Sequence, residues 1–163
     1  MNSDNKDDWL GKGVYFWEYA YKQAWWWARR KNPNGGAAVI GAMIRLGTCF
    51  DLLDPKNLKN LKIAHASMID TFTQSGIDIP QNVRQYRDLD CAVFNYYYRE
   101  ADEFGKPIDS ARGVYVPTAD AKRLWRGSWI YDDAHIQVCV RNTKNILAVW
   151  HVRPDGRYGK EDA

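Results

Sequence analysis

The stretch Gly11-Lys12-Gly13-Val14-Tyr15-Phe16, followed by Lys22-Gln23-Ala24-Trp25-Trp26-Trp27, holds the residue types best suited to chemistry in this chain. Two glycines around a lysine permit positive φ and let a ligand approach the backbone closely. Tyr15, on the strand that follows, offers a flat ring, and Trp26, eleven residues on and in a helix, returns near that strand. Two aromatic walls of this kind suit a planar, electron-poor ring. Gln23 lies one helical turn before Trp26 and Trp27, and its amide can pair with a carboxamide in the slot. The competing reading of the same aromatics is an ordinary core.

Other chemistries find little support. The three cysteines, Cys49, Cys91 and Cys139, are about forty residues apart and sit in apolar stretches, which predicts buried free thiols in a reducing compartment. His65, His135 and His151 are not paired at helical or strand spacing, so no metal site is expected. There is no GxSxG, P-loop or GxGxxG. A length of 163 residues, 45% hydrophobic and 26% charged, predicts one globular domain. The net charge of +3 is too small to imply nucleic acid by itself. The longest apolar run, Ala37 to Ile44, falls far short of the roughly 20 residues of a membrane span. The first ten residues are polar and do not read as a secretion signal, so the expected location is the cytoplasm.

The elements that must position these residues are read from periodicity. Val14–Trp17 is expected as a strand and Glu18–Arg30 as a helix ended by Asn32-Pro33-Asn34-Gly35-Gly36. Ala37–Leu46 reads as a strand buried on both faces, and Cys49–Leu53 as extended. Asp54-Pro55 is an N-cap followed by proline, opening a helix whose apolar positions run Leu58, Leu61, Ala64, Met68, Phe72 and which closes at Ser75-Gly76. Residues 77–87 read as irregular, and a second helix runs from Asp88 to Phe104 with Leu89, Ala92, Val93, Tyr96 and Tyr97 inward. Ile108–Val116 is a strand, and Pro117–Gly127 a loop with a short helical turn. His135–Arg141 and Ile146–Val152 read as a hairpin about the turn Asn142–Asn145. The fold class is α+β, with a single domain over residues 9–153 and polar tails at 1–8 and 154–163.

The segment Gly-Lys-Gly-Val-Tyr-Phe, with Lys22 and Ala24 at ungapped spacing, resembles the nicotinamide-binding segment of the poly(ADP-ribose) polymerase catalytic domain. It is more similar still to small bacterial and phage ADP-ribosyltransferases that carry Gly-x-Gly-Val-Tyr-Phe-Trp-Glu. Val39-Ile40-Gly41 through Gly47, Leu89-Asp90-Cys91-Ala92, Ile108–Gly113 and His135–Asn142 resemble later segments in the same order. The resemblance implies split mixed and antiparallel sheets with flanking helices. It implies NAD as co-substrate, bound by Gly13, Tyr15, Gln23 and Trp26, with Tyr15 and Trp26 clamping the nicotinamide. The family also uses a polar residue on a late strand, a glutamate in elongating polymerases. Here that strand is 135–141, where His135, Gln137 and Cys139 share a face. Gln137 is preferred and His135 is second. Glutamine bonds a ribose hydroxyl but cannot act as a base, which favours transfer of a single ADP-ribose. The family's first strand, with its His-Gly pair, has no counterpart among the fourteen residues before Tyr15, so the expected fold lacks it.

The function expected from the resemblance is a mono-ADP-ribosyltransferase that releases nicotinamide and passes ADP-ribose to a protein or nucleic-acid acceptor. A toxin or phage-defence role, with an inhibitory partner protein, suits small relatives of this kind. Two alternatives stand beside it. One is a pseudoenzyme that binds NAD, ADP-ribose or a partner without turnover. The other is a nucleic-acid-binding module, because Arg29, Arg30 and Lys31 follow Trp25, Trp26 and Trp27.

Overall fold

A computed structural model describes residues 8–83, 86–116 and 122–156. Most of the two polar tails therefore lies outside the described residues. The order of elements is β1 (Val14–Glu18), α1 (Tyr21–Lys31), β2 (Val39–Ile44), β3 (Cys49–Asp51), α2 (Pro55–Gln74), β4 (Asn82–Val83), β5 (Tyr86–Arg87), α3 (Asp88–Glu103), β6 (Ser110–Tyr115), β7 (His135–Val140) and β8 (Ile146–Val152). A four-stranded mixed sheet runs β1-β7-β6-β3; β2-β8 and β4-β5 form two-stranded antiparallel sheets. The chain is α+β, with mixed and antiparallel sheets and flanking helices.

Parallel strands cannot be joined by a tight turn. β3 and β6 are parallel, and the connection between them carries α2 and α3. α2 starts where the Asp54 carboxylate accepts from the Lys56 amide at 2.8 Å, with Pro55 in the first turn, and it stops before Gly76 at φ 65°. Its Ala64 and Met68 meet Val93 and Tyr96 of α3 in one buried cluster. α3 is buried on more than its predicted stripe. Phe94 and Tyr98 turn toward the sheet and pack with Leu10, Phe50, Ala111 and Cys139 in a second cluster. The Tyr98 hydroxyl donates to the Leu10 carbonyl at 2.7 Å, and the Arg141 guanidinium lies 4.1 Å from the centre of its ring. α3 thus couples both clusters, which explains why five of its residues are buried.

Several expectations need correction, among them the irregular reading of 77–87, where Asn82–Val83 and Tyr86–Arg87 pair as β4 and β5. The predicted hairpin 135–152 does not form, because β7 is paired on both edges, with β1 and with β6, and β8 pairs with β2 instead. The chain leaves β7 at a corner gripped by Asp109. Its carbonyl accepts from the Arg141 and Asn142 amides, and its carboxylate accepts from the Thr48 amide and the Asn142 side chain. β2 is not buried on both faces: among the described residues its one partner is β8, and Ile40 and Met43 are exposed. Of the loop expected at 117–127, residues 117–121 lie outside the described ones; over the rest, Arg123 forms a bridge with Tyr131 and one turn is closed by the Ser128 amide donating to the Trp125 carbonyl at 3.1 Å. The cysteines are free as expected, Cys91 and Cys139 buried and Cys49 half-buried.

Met68 is fully buried between α2 and α3. Met68→Ala is expected to destabilise the chain by about 2–5 kcal/mol, read as a lowered urea midpoint, with secondary structure kept in the absence of denaturant.

Candidate functional site

β1 and β7 lie side by side with Tyr15 opposite Cys139 and Trp17 opposite Gln137; β6 flanks β7 on the other edge, with Gly113 opposite Gln137 and Tyr115 opposite His135. Side chains alternate along strands. Tyr15, Trp17, His135, Gln137, Cys139 and Tyr115 therefore share one face of the sheet, and the two candidates for the late-strand position are neighbours on it.

Trp9 covers this face. Its indole Nε1–H donates to Gln137 Oε1 at 2.7 Å, across 128 residues of sequence. An indole nitrogen can only donate, so the oxygen of the Gln137 amide must face Trp9 and its Nε2 must face His135. Gln137 Nε2 then donates to His135 Nε2 at 3.0 Å, and His135 Nδ1–H donates to the Asp133 carbonyl at 2.7 Å. Every hydrogen in this chain has one direction, and it requires a neutral imidazole. Desolvation likewise pushes the His135 pKa below its ordinary value, against a weaker opposing pull from Asp133. Tyr115 packs beside both rings, 5.8 Å from Trp9 and 5.4 Å from His135. Gly113 makes the arrangement possible, since a Cβ there would come within 2.8 Å of the Trp9 ring.

The opposite face of the same sheet is charged. Arg112 of β6 donates from Nε and Nη2 to Glu18 of β1, at 2.7 and 3.1 Å, and from Nη1 to Asp51 of β3 at 3.0 Å. A fork-shaped guanidinium suits such a two-oxygen contact.

The slot expected between Tyr15 and Trp26 is not formed. Tyr15 packs against the core cluster with Leu10 and Cys139. Its hydroxyl accepts from the Leu10 amide at 2.9 Å and donates to the Gly11 carbonyl at 2.8 Å, and burial drives its pKa far up. Its ring therefore fastens the segment before β1 to the sheet. Trp26 is 58% exposed and lines a different cleft with Lys22, Trp25, Arg29, Arg30 and Pro154. Gln23 is half-buried on α1; its backbone amide donates to the Ala20 carbonyl at 3.1 Å, and its side-chain amide makes no hydrogen bond among the described residues. The glycines are used by the fold itself. Gly11 has φ 80°, and a Cβ there would meet Tyr98 at 2.8 Å; a Cβ on Gly13 would meet Cys139 Sγ at 2.5 Å and the Val140 carbonyl at 2.8 Å. The close approach that these glycines permit is made by α3 and β7 rather than by a ligand.

Trp9, Tyr115 and the Glu18–Arg112–Asp51 group were not among the expected site residues. Alternation along β6 puts Tyr115 and Gly113 on one face, but only strand pairing brings them beside Gln137. Among the described residues no group of three or more His, Cys, Asp or Glu is placed to hold a metal, and no helix is long and apolar enough to cross a membrane. In comparisons with known proteins, the chain matches no family model, no curated protein and no solved structure.

Tyr15→Phe is expected to cost about 1–3 kcal/mol through the two lost hydrogen bonds, and Tyr15→Ala about 3–5 kcal/mol, both by equilibrium urea unfolding. His135 gives a pH prediction. Its folded pKa lies below the unfolded value, so the unfolded chain takes up the proton first. Its stabilising contribution is complete above about pH 6.5 and falls as pH drops through the folded pKa. The urea midpoint is expected to fall more steeply in the native chain than in His135→Gln between about pH 7.5 and about pH 5. Equal slopes would show that His135 titrates as in the unfolded chain.

Proposed function

We propose that the chain is an ADP-ribosyltransferase-like domain that binds NAD and transfers a single ADP-ribose unit to a protein or nucleic-acid acceptor. The observation that carries this reading is the pairing of β1 with β7. It sets the Gly-Lys-Gly-Val-Tyr-Phe strand directly against the strand bearing Gln137 and His135, with both polar side chains hydrogen-bonded to each other on one face. In the reaction, the bond between nicotinamide and the ribose anomeric carbon breaks, and nicotinamide leaves with the electron pair. A nucleophile of the acceptor bonds to that carbon and gives up its proton. Gln137 orients a ribose hydroxyl through its amide. His135, held neutral, has a lone pair at Nε2 able to take a proton once Gln137 turns to the sugar. Trp9 must leave Gln137 Oε1 for NAD to reach it, so the indole is both cover and reporter.

Binding without turnover is the second reading. It is favoured by two facts: Trp9 already occupies the Gln137 carbonyl, and the Tyr15 phenol is tied to Leu10 and Gly11.

Titration with NAD, followed by tryptophan fluorescence and by chromatography of free nicotinamide, tests both. The expected result is a saturable change in emission with nicotinamide release, and a drop in release of at least about tenfold in Gln137→Ala, as for loss of one positioned polar contact in a transition state. An emission change without release supports the second reading. No response to NAD overturns both.

A further inference from the structure

We propose that the exposed side of α1 is a binding site for single-stranded nucleic acid. This inference does not rest on the NAD reading. α1 carries three indoles in a row, each with a cation four residues further on. Arg29 lies 5.4 Å from the Trp25 ring, Arg30 5.1 Å from Trp26, and Lys31 4.8 Å from Trp27. The cleft of about 550 Å3 on this helix is lined by Lys22, Trp25, Trp26, Arg29, Arg30 and Pro154, the last just beyond β8. Among the described residues its lining holds three cations and no carboxylate. None of Lys22, Arg29, Arg30 or Lys31 takes part in an ion pair among the described residues.

A cluster of basic residues ending a helix ordinarily complements the helix dipole and faces water. That does not account for the tryptophans. Trp25 is half-buried and Trp27 lies 6.3 Å from the Trp17 ring of β1, but Trp26 is 58% exposed, so its ring is not there to fill the core. α1 contributes no fully buried residue at all. An indole kept largely in water, beside cations that hold no carboxylate among the described residues, matches what a nucleic-acid strand presents, flat bases alternating with phosphates. From Lys22 to Arg30 the helix rises about 12 Å, which is about three nucleotides of a stacked strand.

Charge and shape select among occupants. A duplex hides its base faces inside the stack, so the indoles would stay unused. An acidic peptide would satisfy the cations and leave the rings in water. Insertion into lipid would drag the cation over each ring toward hydrocarbon, at a high desolvation cost. A single strand uses both groups: bases stack on Trp26 and on the guanidinium planes, and phosphates take Lys22, Arg29 and Arg30.

The test uses the full chain without NAD and labelled oligo-dT and oligo-rU of about twelve nucleotides, a length within the usual site size. Fluorescence anisotropy is expected to show saturable binding with quenching of tryptophan emission. The logarithm of the affinity should fall with the logarithm of salt concentration with a slope near about −2, for three phosphates neutralised. Trp26→Ala should weaken binding roughly 5- to 160-fold, the range found for one stacked base. Arg30→Gln should lower the salt slope by about 0.7. Circular dichroism checks that the surface variants keep the fold. Absence of binding, or binding that Trp26→Ala and Arg30→Gln leave unchanged, overturns the proposal. So does tighter binding of a duplex, a polyglutamate peptide or phosphatidylserine vesicles.

Discussion

β7 has no free edge, and most of the architecture follows from that constraint. With β1 hydrogen-bonded on one side and β6 on the other, the chain beyond Val140 cannot fold back as a hairpin. It turns at the Asp109 corner and makes β8, which pairs with β2 in a separate sheet. The same double pairing gives β7 two faces with different chemistry. One carries Gln137 and His135 under Trp9. The other carries Val138 and Val140, beside the Arg112 fork.

The two faces also differ in what they tolerate. On one, three residues donate in sequence, Trp9 to Gln137 to His135 to the Asp133 carbonyl, and none of the three donors carries a formal charge. A neutral network of this sort depends on direction, so protonating His135 at Nε2 turns its acceptor into a donor and sets two donors against each other. On the other, Arg112 holds two carboxylates from strands on opposite sides of β7. That group depends on charge and forked geometry, and all three side chains keep some contact with water. The group is half-buried and bidentate, unlike an isolated surface ion pair, and it ties the positions of β1 and β3 to β6.

What the sequence shows directly is whatever repeats locally. The N-cap and proline at Asp54-Pro55, the three- and four-residue spacing through Met68, and the β-rich run at Val14 all gave elements close to those found. The sharing of one face by His135 and Gln137 was also readable, because alternation is local. Partner choice is not. Whether Ile146–Val152 pairs with β7 or β2 depends on which edges are already taken. Whether Tyr15 faces a ligand or the core depends on α3, some eighty residues away, bringing Tyr98 against Gly11. The Gly-Lys-Gly stretch looked like a ligand cradle because a close approach needs glycine whoever approaches. The bond from Trp9 to Gln137 joins residues no periodicity connects.

Cys139 lies beneath this arrangement with a use of its own. It is fully buried, its thiol donates toward the Gly11 carbonyl at 3.6 Å, and burial pushes its pKa up to about 12. Alkylation requires the thiolate to attack the reagent, so Cys139 cannot be labelled while Tyr15 and the Gly11 turn stay in place. Labelling must wait for the segment around residues 9–13 to lift off the sheet, whereas half-buried Cys49 is under no such lock. The ratio of the two labelling rates is thus an internal clock for how often the opening strand's lead-in parts from β7, readable in the native protein without denaturant.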